Sequence, residues 1–173
     1  MEYISIFISV VAVFFTYRGL SKMKEHNRKS VKPLLQHRKS IHNLDNGFDV
    51  KIYNKGLGPA IITEFYVKIN DEKIDGKNSI EIQNKIKKEL EENIKGLDID
   101  KSVKLEYSAL SDNSALEIGE SFCLIRIMDI DLDVLAKVIE NISIYCTYES
   151  FYNEEQEITI DLNTISEAIR DAH

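Results

Sequence analysis

Two prolines and seven glycines among 173 residues exclude a collagen-like or low-complexity chain. Two cysteines are too few for a disulfide scaffold. No histidine lies between residues 43 and 172, so that stretch holds no histidine dyad or triad unless the preceding segment folds back onto it. There is no CxxC and no HExxH, and no phosphate-loop pattern. Gly56-x-Gly58 is followed by Ile61 and fails the dinucleotide fingerprint. No catalytic residue, cofactor or metal follows from these patterns. What is present is an ordinary globular mixture, 43% hydrophobic and 29% charged, which argues against disorder. The net charge of -7 has the wrong sign for a nucleic-acid binder.

That charge is unevenly divided. Residues 1–42 carry eight Lys/Arg against two acids, and the remainder carries 14 against 27. A basic end on an acidic body marks an appendage with its own partner. Tyr3 to Tyr17 (YISIFISVVAVFFTY) contains no charge. Extended to Leu20, with Arg18 snorkelling to the headgroups, the run reaches about 27 Å, close to a hydrocarbon core of about 30 Å. Tyr3 and Tyr17 bracket it as interfacial aromatics do. A cleaved signal peptide fits poorly, because the start is Met1-Glu2 and the end is bulky Phe14-Phe15-Thr16-Tyr17. The reading is a single-pass anchor over 1–23, a basic juxtamembrane linker over 24–42 and a soluble domain over 43–173.

All nearby Lys/Arg follow the apolar run, so the positive-inside rule places the domain in the cytoplasm, on an inner membrane. Arg18, Lys22, Lys24, Arg28, Lys29 and Lys32 are candidate contacts to anionic lipid, at about 1 kcal/mol each. Ser5, Ser9, Ala12 and Thr16 put small residues on one helix face, a candidate helix-association surface.

Period-two alternation governs the rest. Phe48, Val50 and Ile52 alternate with polar neighbours. So do Ile61, Thr63, Phe65, Val67 and Ile69, then Val103, Leu105 and Tyr107, then Ile142, Ile144, Cys146 and Tyr148. Ile158, Ile160 and Leu162 close the series. Ser121–Met128 is apolar on both faces and so central. Pro33 ends the helical continuation, and Leu34-Leu35 can open a first strand. Asn78 with Glu81 caps a helix whose stripe is Ile82, Ile86, Leu90 and Ile94, with Gly96 as its stop. Asp133 caps a shorter helix. Thr164 to Glu167 opens a last one, with Ile165, Ala168, Ile169 and Ala172 on one side. The expected fold is mainly β, an antiparallel β-sandwich of immunoglobulin-like type with one or two helical insertions; a small β-barrel is the alternative.

Gly56 and Gly58 permit positive φ, Pro59 fixes the exit of a tight turn, and Asn54 bonds it locally. Glycine also allows close backbone approach, so Asn54, Gly56, Gly58 and Pro59 form the candidate binding turn. Asp129, Asp131, Asp133 and Glu140 match part of a calcium loop, but Val134 stands where the sharp turn needs glycine, and a helix N-cap explains them better. Cys123 and Cys146 read as buried structural thiols, with a bridge between them left open.

His26-Asn27-Arg28-Lys29-Ser30-Val31-Lys32-Pro33 and Asn54-Lys55-Gly56-Leu57-Gly58-Pro59-Ala60 resemble two motifs of a diffuse group of small bacterial membrane proteins. These have one N-terminal transmembrane helix and a cytoplasmic sandwich-like domain. The resemblance implies that architecture and brings no catalytic residue with it. The expected function is a membrane-anchored, non-enzymatic interaction module touching lipid and a protein partner. The alternative is a homo-oligomerising membrane effector of a stress or phage-defence type, triggered through its cytoplasmic domain.

Overall fold

The computed structural model of the chain describes residues 2–42, 47–93, 103–111 and 113–171. Helix α1 (Glu2–Ser30) is one continuous rod with basic Arg28 and Lys29 in its last turn, where they complement the helix dipole. Up to its last turn it stands clear of the remaining structure, and it is long and apolar enough to cross a membrane once.

Among the described residues nine strands form two antiparallel sheets. The first has the order β1 (Leu35–His42), β2 (Gly47–Asn54), β7 (Ser121–Met128), β5 (Lys104–Tyr107). The second has the order β4 (Glu72–Asp75), β3 (Ala60–Ile69), β8 (Ile142–Glu149), β9 (Glu155–Asp161), and the two-residue β6 (Ala115–Leu116) also pairs with β3. With the short β4 and β6 set aside, the seven remaining strands have the connectivity of an immunoglobulin-like sandwich, β1-β2-β7-β5 opposite β3-β8-β9. Phe48, Val50 and Ile52 from one sheet meet Ile62, Phe65, Val67 and Ile144 from the other in a single apolar core. Helix α2 (Ser79–Asn93) buries Ile82, Ile86 and Leu90. Helices α3 (Leu132–Ile139) and α4 (Asn163–Asp171) pack on each other, and α3 also packs on α2.

Several local expectations change. The first strand takes up residues assigned to the linker: 35–42 pairs along the whole of β2, so only 31–34 connect helix to sandwich. In β3 the register shifts between Ile62 and Glu64. This bulge moves Ile61 and Thr63 off the inward face and brings Ile62 in, so the strict alternation read from Ile61 fails at that point. The N-cap of α3 is Asp131, not Asp133; its side chain accepts from the N–H groups of Asp133 and Val134. In α4, Ile169 is buried but Ala168 is exposed. Ile94, Gly96 and Ala172 lie outside the described residues.

The thiols are free and face apart. Cys146 alternates inward with Ile144 and Tyr148, while Cys123 lies opposite Lys51 on the outer face of the first sheet. Cys123 is therefore half-buried rather than a core thiol. Burial pushes the Cys146 thiol up to about 12. With the full chain folded in detergent, a thiol alkylating reagent should add one label, at Cys123. Both cysteines should label only after denaturation, as read by peptide mass; native labelling of Cys146, or a bridged pair, would contradict this arrangement.

Candidate functional site: the junction of helix and sandwich

The turn after β2 is filled by the chain itself. Residues 31–34, leaving α1, lie against the glycines of 54–59. The Leu57 N–H donates to the Lys32 carbonyl and the Lys55 N–H to the Leu34 carbonyl, both at 2.9 Å. Asn54 is fully buried and works in both directions. Its Oδ1 accepts from Gly56 N–H at 2.9 Å and from Leu34 N–H at 3.2 Å. Its Nδ2 donates to the carbonyls of Gly58 at 2.7 Å and Leu116 at 3.0 Å. All four hydrogen-bonding positions of the amide are thus used, which is how a buried amide avoids a desolvation cost.

The glycines serve close approach. A Cβ on Gly58 would stand 1.9 Å from the Val31 carbonyl oxygen, and one on Gly56 would stand 2.3 Å from Leu34 N. Neither glycine adopts positive φ; among the described glycines only Gly119 does, at 77°. The expectation of a positive-φ turn is replaced by steric need. Pro59 is half-buried and leads into β3, and Pro33 is buried in the clasped segment.

The juxtamembrane cations are distributed differently from one another. Arg28 forms an ion pair with Glu154 in the β8–β9 loop, tying the last helical turn to the sandwich. Lys29 pairs with Glu25 at 2.7 Å within the helix. The Arg18 guanidinium lies 5.8 Å from the Phe14 ring centre. Lys22, Lys24 and Lys32 are exposed. On the small-residue face, Ala12 and Thr16 are exposed, and the Thr16 hydroxyl donates to the Ala12 carbonyl at 2.8 Å. Ser9 is exposed, and the Ser5 side chain lies outside the described residues.

A second feature was not foreseen. On the outer face of the second sheet, Tyr66 and Tyr145 are cross-strand partners and stack at 4.7 Å with 9° between their planes. Lys73 lies 3.9 Å over the Tyr66 ring and Lys68 lies 4.9 Å over the Tyr145 ring. A hollow of about 400 Å³ beside them is lined by Thr63, Glu64, Tyr66, Lys73 and Asp75. The signal was in the sequence, since Tyr66 and Tyr145 each occupy an outward position of a strand, but their pairing register was not.

The third feature is a carboxylate on the outer face of the first sheet. Asp49 is buried, and its Oδ2 is 3.0 Å from His42 Nε2 and 3.4 Å from Lys51 Nζ. The fold-back of the segment before residue 43 has therefore occurred, and it gives an Asp–His pair. Burial pushes the Asp49 carboxyl up, but the His42 hydrogen bond and the Lys51 charge more than offset this and hold it below the usual range. The nearby Cys123 thiol is pushed up by burial, the reverse of what a nucleophile needs. Among the described residues no cluster of His, Cys, Asp and Glu is arranged to hold a metal ion.

No protein-family model, curated protein or solved structure matches the chain.

Two outcomes follow. Gly58→Ala should expel residues 31–34 from the clasp and cost about 1–3 kcal/mol in urea unfolding of the detergent-solubilised chain, with new protease cleavage at 31–34. Gly19→Ala, whose added Cβ meets nothing within 4 Å, should leave both unchanged. For Asp49, a folded pKa below the unfolded one means its stabilisation is complete above the unfolded value and is lost as pH falls through the folded value. Asp49→Asn should therefore lower stability by about 1–3 kcal/mol at neutral pH, and the gap to the parent should close on acidification.

Proposed function

We propose that this chain is a membrane-anchored, non-enzymatic binding module that holds its sandwich in a fixed stance on the cytoplasmic side of a membrane. In this reading the outer face of the β4-β3-β8-β9 sheet is offered to a protein partner. The observation that carries it is the clasp. Keeping a domain near a bilayer needs only a flexible tether. Here the connector is four residues long, and the buried Asn54 amide and glycine backbone hold it at both ends. Such a joint removes rotational freedom before a partner arrives, which lowers the entropic cost of binding through one chosen face.

Other observations support parts of the reading. Every Lys/Arg near the apolar run lies after it, which favours a cytoplasmic sandwich by the positive-inside rule. Two unbridged thiols suit a reducing compartment. The Tyr66–Tyr145 stack, overlain by Lys68 and Lys73, combines aromatic area with cations, the chemistry enriched where proteins meet. The groups most suited to acid–base work are engaged otherwise: Asp49 with His42 and Lys51, and Tyr148 with the Leu35 N–H and Gln156.

The experiment has two arms, both on the full chain in cells. A C-terminal epitope should survive protease added to intact cells and be lost in inverted vesicles; the opposite pattern overturns the orientation. A photo-crosslinking residue at Tyr66 or Tyr145 should give a discrete adduct that one at Lys51, on the other sheet, does not. No adduct from either tyrosine position would remove the assigned face.

A further inference from the structure

Outside α1, large apolar side chains left exposed are few and unevenly placed. Among the described residues Leu57 is 66% exposed, Ile118 57% and Phe151 67%, with Tyr152 and Leu34 beside them in the exposed class, while Ile80 at the start of α2 (72%) and Ile41 at the far end of β1 (38%) stand apart. The grouped residues come from separate segments: the β2–β3 turn, the β6–β7 turn, the β8–β9 loop and the connector. In this topology all four meet at one end of the sandwich, because β2 and β8 finish there while β1, β3, β7 and β9 begin there. It is the end that α1 enters.

The β8–β9 loop is rigid. Ser150 N–H donates to the Glu154 carbonyl, Asn153 N–H to the Ser150 carbonyl, and the Ser150 hydroxyl accepts from Tyr152 N–H at 3.2 Å. Phe151 and Tyr152 are thus held outward by a satisfied backbone, where they add nothing to the core. The Arg28–Glu154 ion pair sets this loop beside the last turn of α1. At about 1.5 Å per residue a 29-residue helix measures about 43 Å, the thickness of a bilayer with its headgroups. Residues 21–30 carry α1 about 15 Å past Leu20, so its last turn, and the loop beside it, stand at the outer side of the headgroup layer.

We infer that this end of the sandwich is a lipid-contacting surface: Leu57, Ile118, Phe151 and Tyr152 enter the interfacial layer of the same bilayer that α1 crosses. The inference rests on α1 being membrane-spanning. Aromatic and aliphatic side chains on rigid tips are favoured at that depth, where an apolar body is buried and a hydroxyl such as that of Tyr152 stays wet. Cations Lys22, Lys24 and Lys32 on the adjoining segment match an anionic leaflet. The surface adds a second attachment to the clasp, so that the sandwich rests on the membrane at one end and presents its sheet faces sideways.

The chain contains no tryptophan, so one introduced residue reports alone. Full-length Phe151→Trp and, independently, Leu57→Trp would be reconstituted into vesicles of phosphatidylcholine and phosphatidylglycerol. The comparison is Lys88→Trp on α2, beside the β3–β4 turn at the opposite end. In vesicles the first two should emit at shorter wavelength than in detergent-free urea and lose intensity when the lipid is brominated near the headgroup. Lys88→Trp should do neither. All three should float with vesicles after a carbonate wash. Flotation without quenching at positions 151 and 57 overturns the lipid surface while leaving the anchor intact, and points to a protein occupant. Failure to float overturns the anchor reading and this inference with it.

Discussion

The buried amide of Asn54 is the joint on which the molecule turns. It receives the connector through Leu34 N–H, closes its own turn through Gly56 N–H and the Gly58 carbonyl, and reaches across to Leu116 before β7. One side chain thereby ties the outgoing helix, the β2–β3 turn and the β6–β7 segment together. Removing it would strand several buried polar groups at once, so its role is not divisible among neighbours. The glycines matter for the same joint, since no side chain fits between the 54–59 turn and residues 31–34.

The β1 edge of the first sheet depends on a comparable device. β1 is an edge strand whose inward-facing positions include His37 and Lys39 as well as Leu35. Lys39 Nζ donates to the Thr164 hydroxyl at 2.7 Å and also to the Asp161 carbonyl, so it reaches across to the end of β9 and the start of α4. Burial lowers the Lys39 pKa, and the Asp161 charge only partly counters it. An inward charge on an edge strand also discourages pairing with another chain. Clasp and staple together fix β1, the strand nearest the helix, at its start and at its fifth residue.

Much of the architecture was legible as periodicity. Phe48, Val50 and Ile52 alternate inward as read, and β8 runs Ile142, Ile144, Cys146, Tyr148 without interruption, because a half-buried strand must alternate. The misreadings share a cause. The bulge after Ile62 shifts the phase by one residue, and nothing local marks it; it falls next to the stretch where β3 pairs with β6 as well as β8. The cap of α3 is Asp131 rather than Asp133 because both are competent caps by residue type, so local sequence alone does not choose between them. The first strand opens at Leu35 as the sequence suggested, but it runs on to His42 through residues also assigned to the basic linker, since a basic stretch pairs as well as any other once a neighbour supplies the ladder.

By itself the chain of residues determined which stretch is greasy enough for a bilayer, which segments alternate, and that the glycines at 56 and 58 were wanted for their backbone. These are local properties, set by side-chain volume, polarity and short-range sterics. Only the tertiary structure decided what those glycines touch, which tyrosines stack, that His42 meets Asp49, and that four apolar tips share one end with the helix. Those facts join residues far apart in the chain, and strand order and register, which fix them, emerge only when both sheets close on a common core.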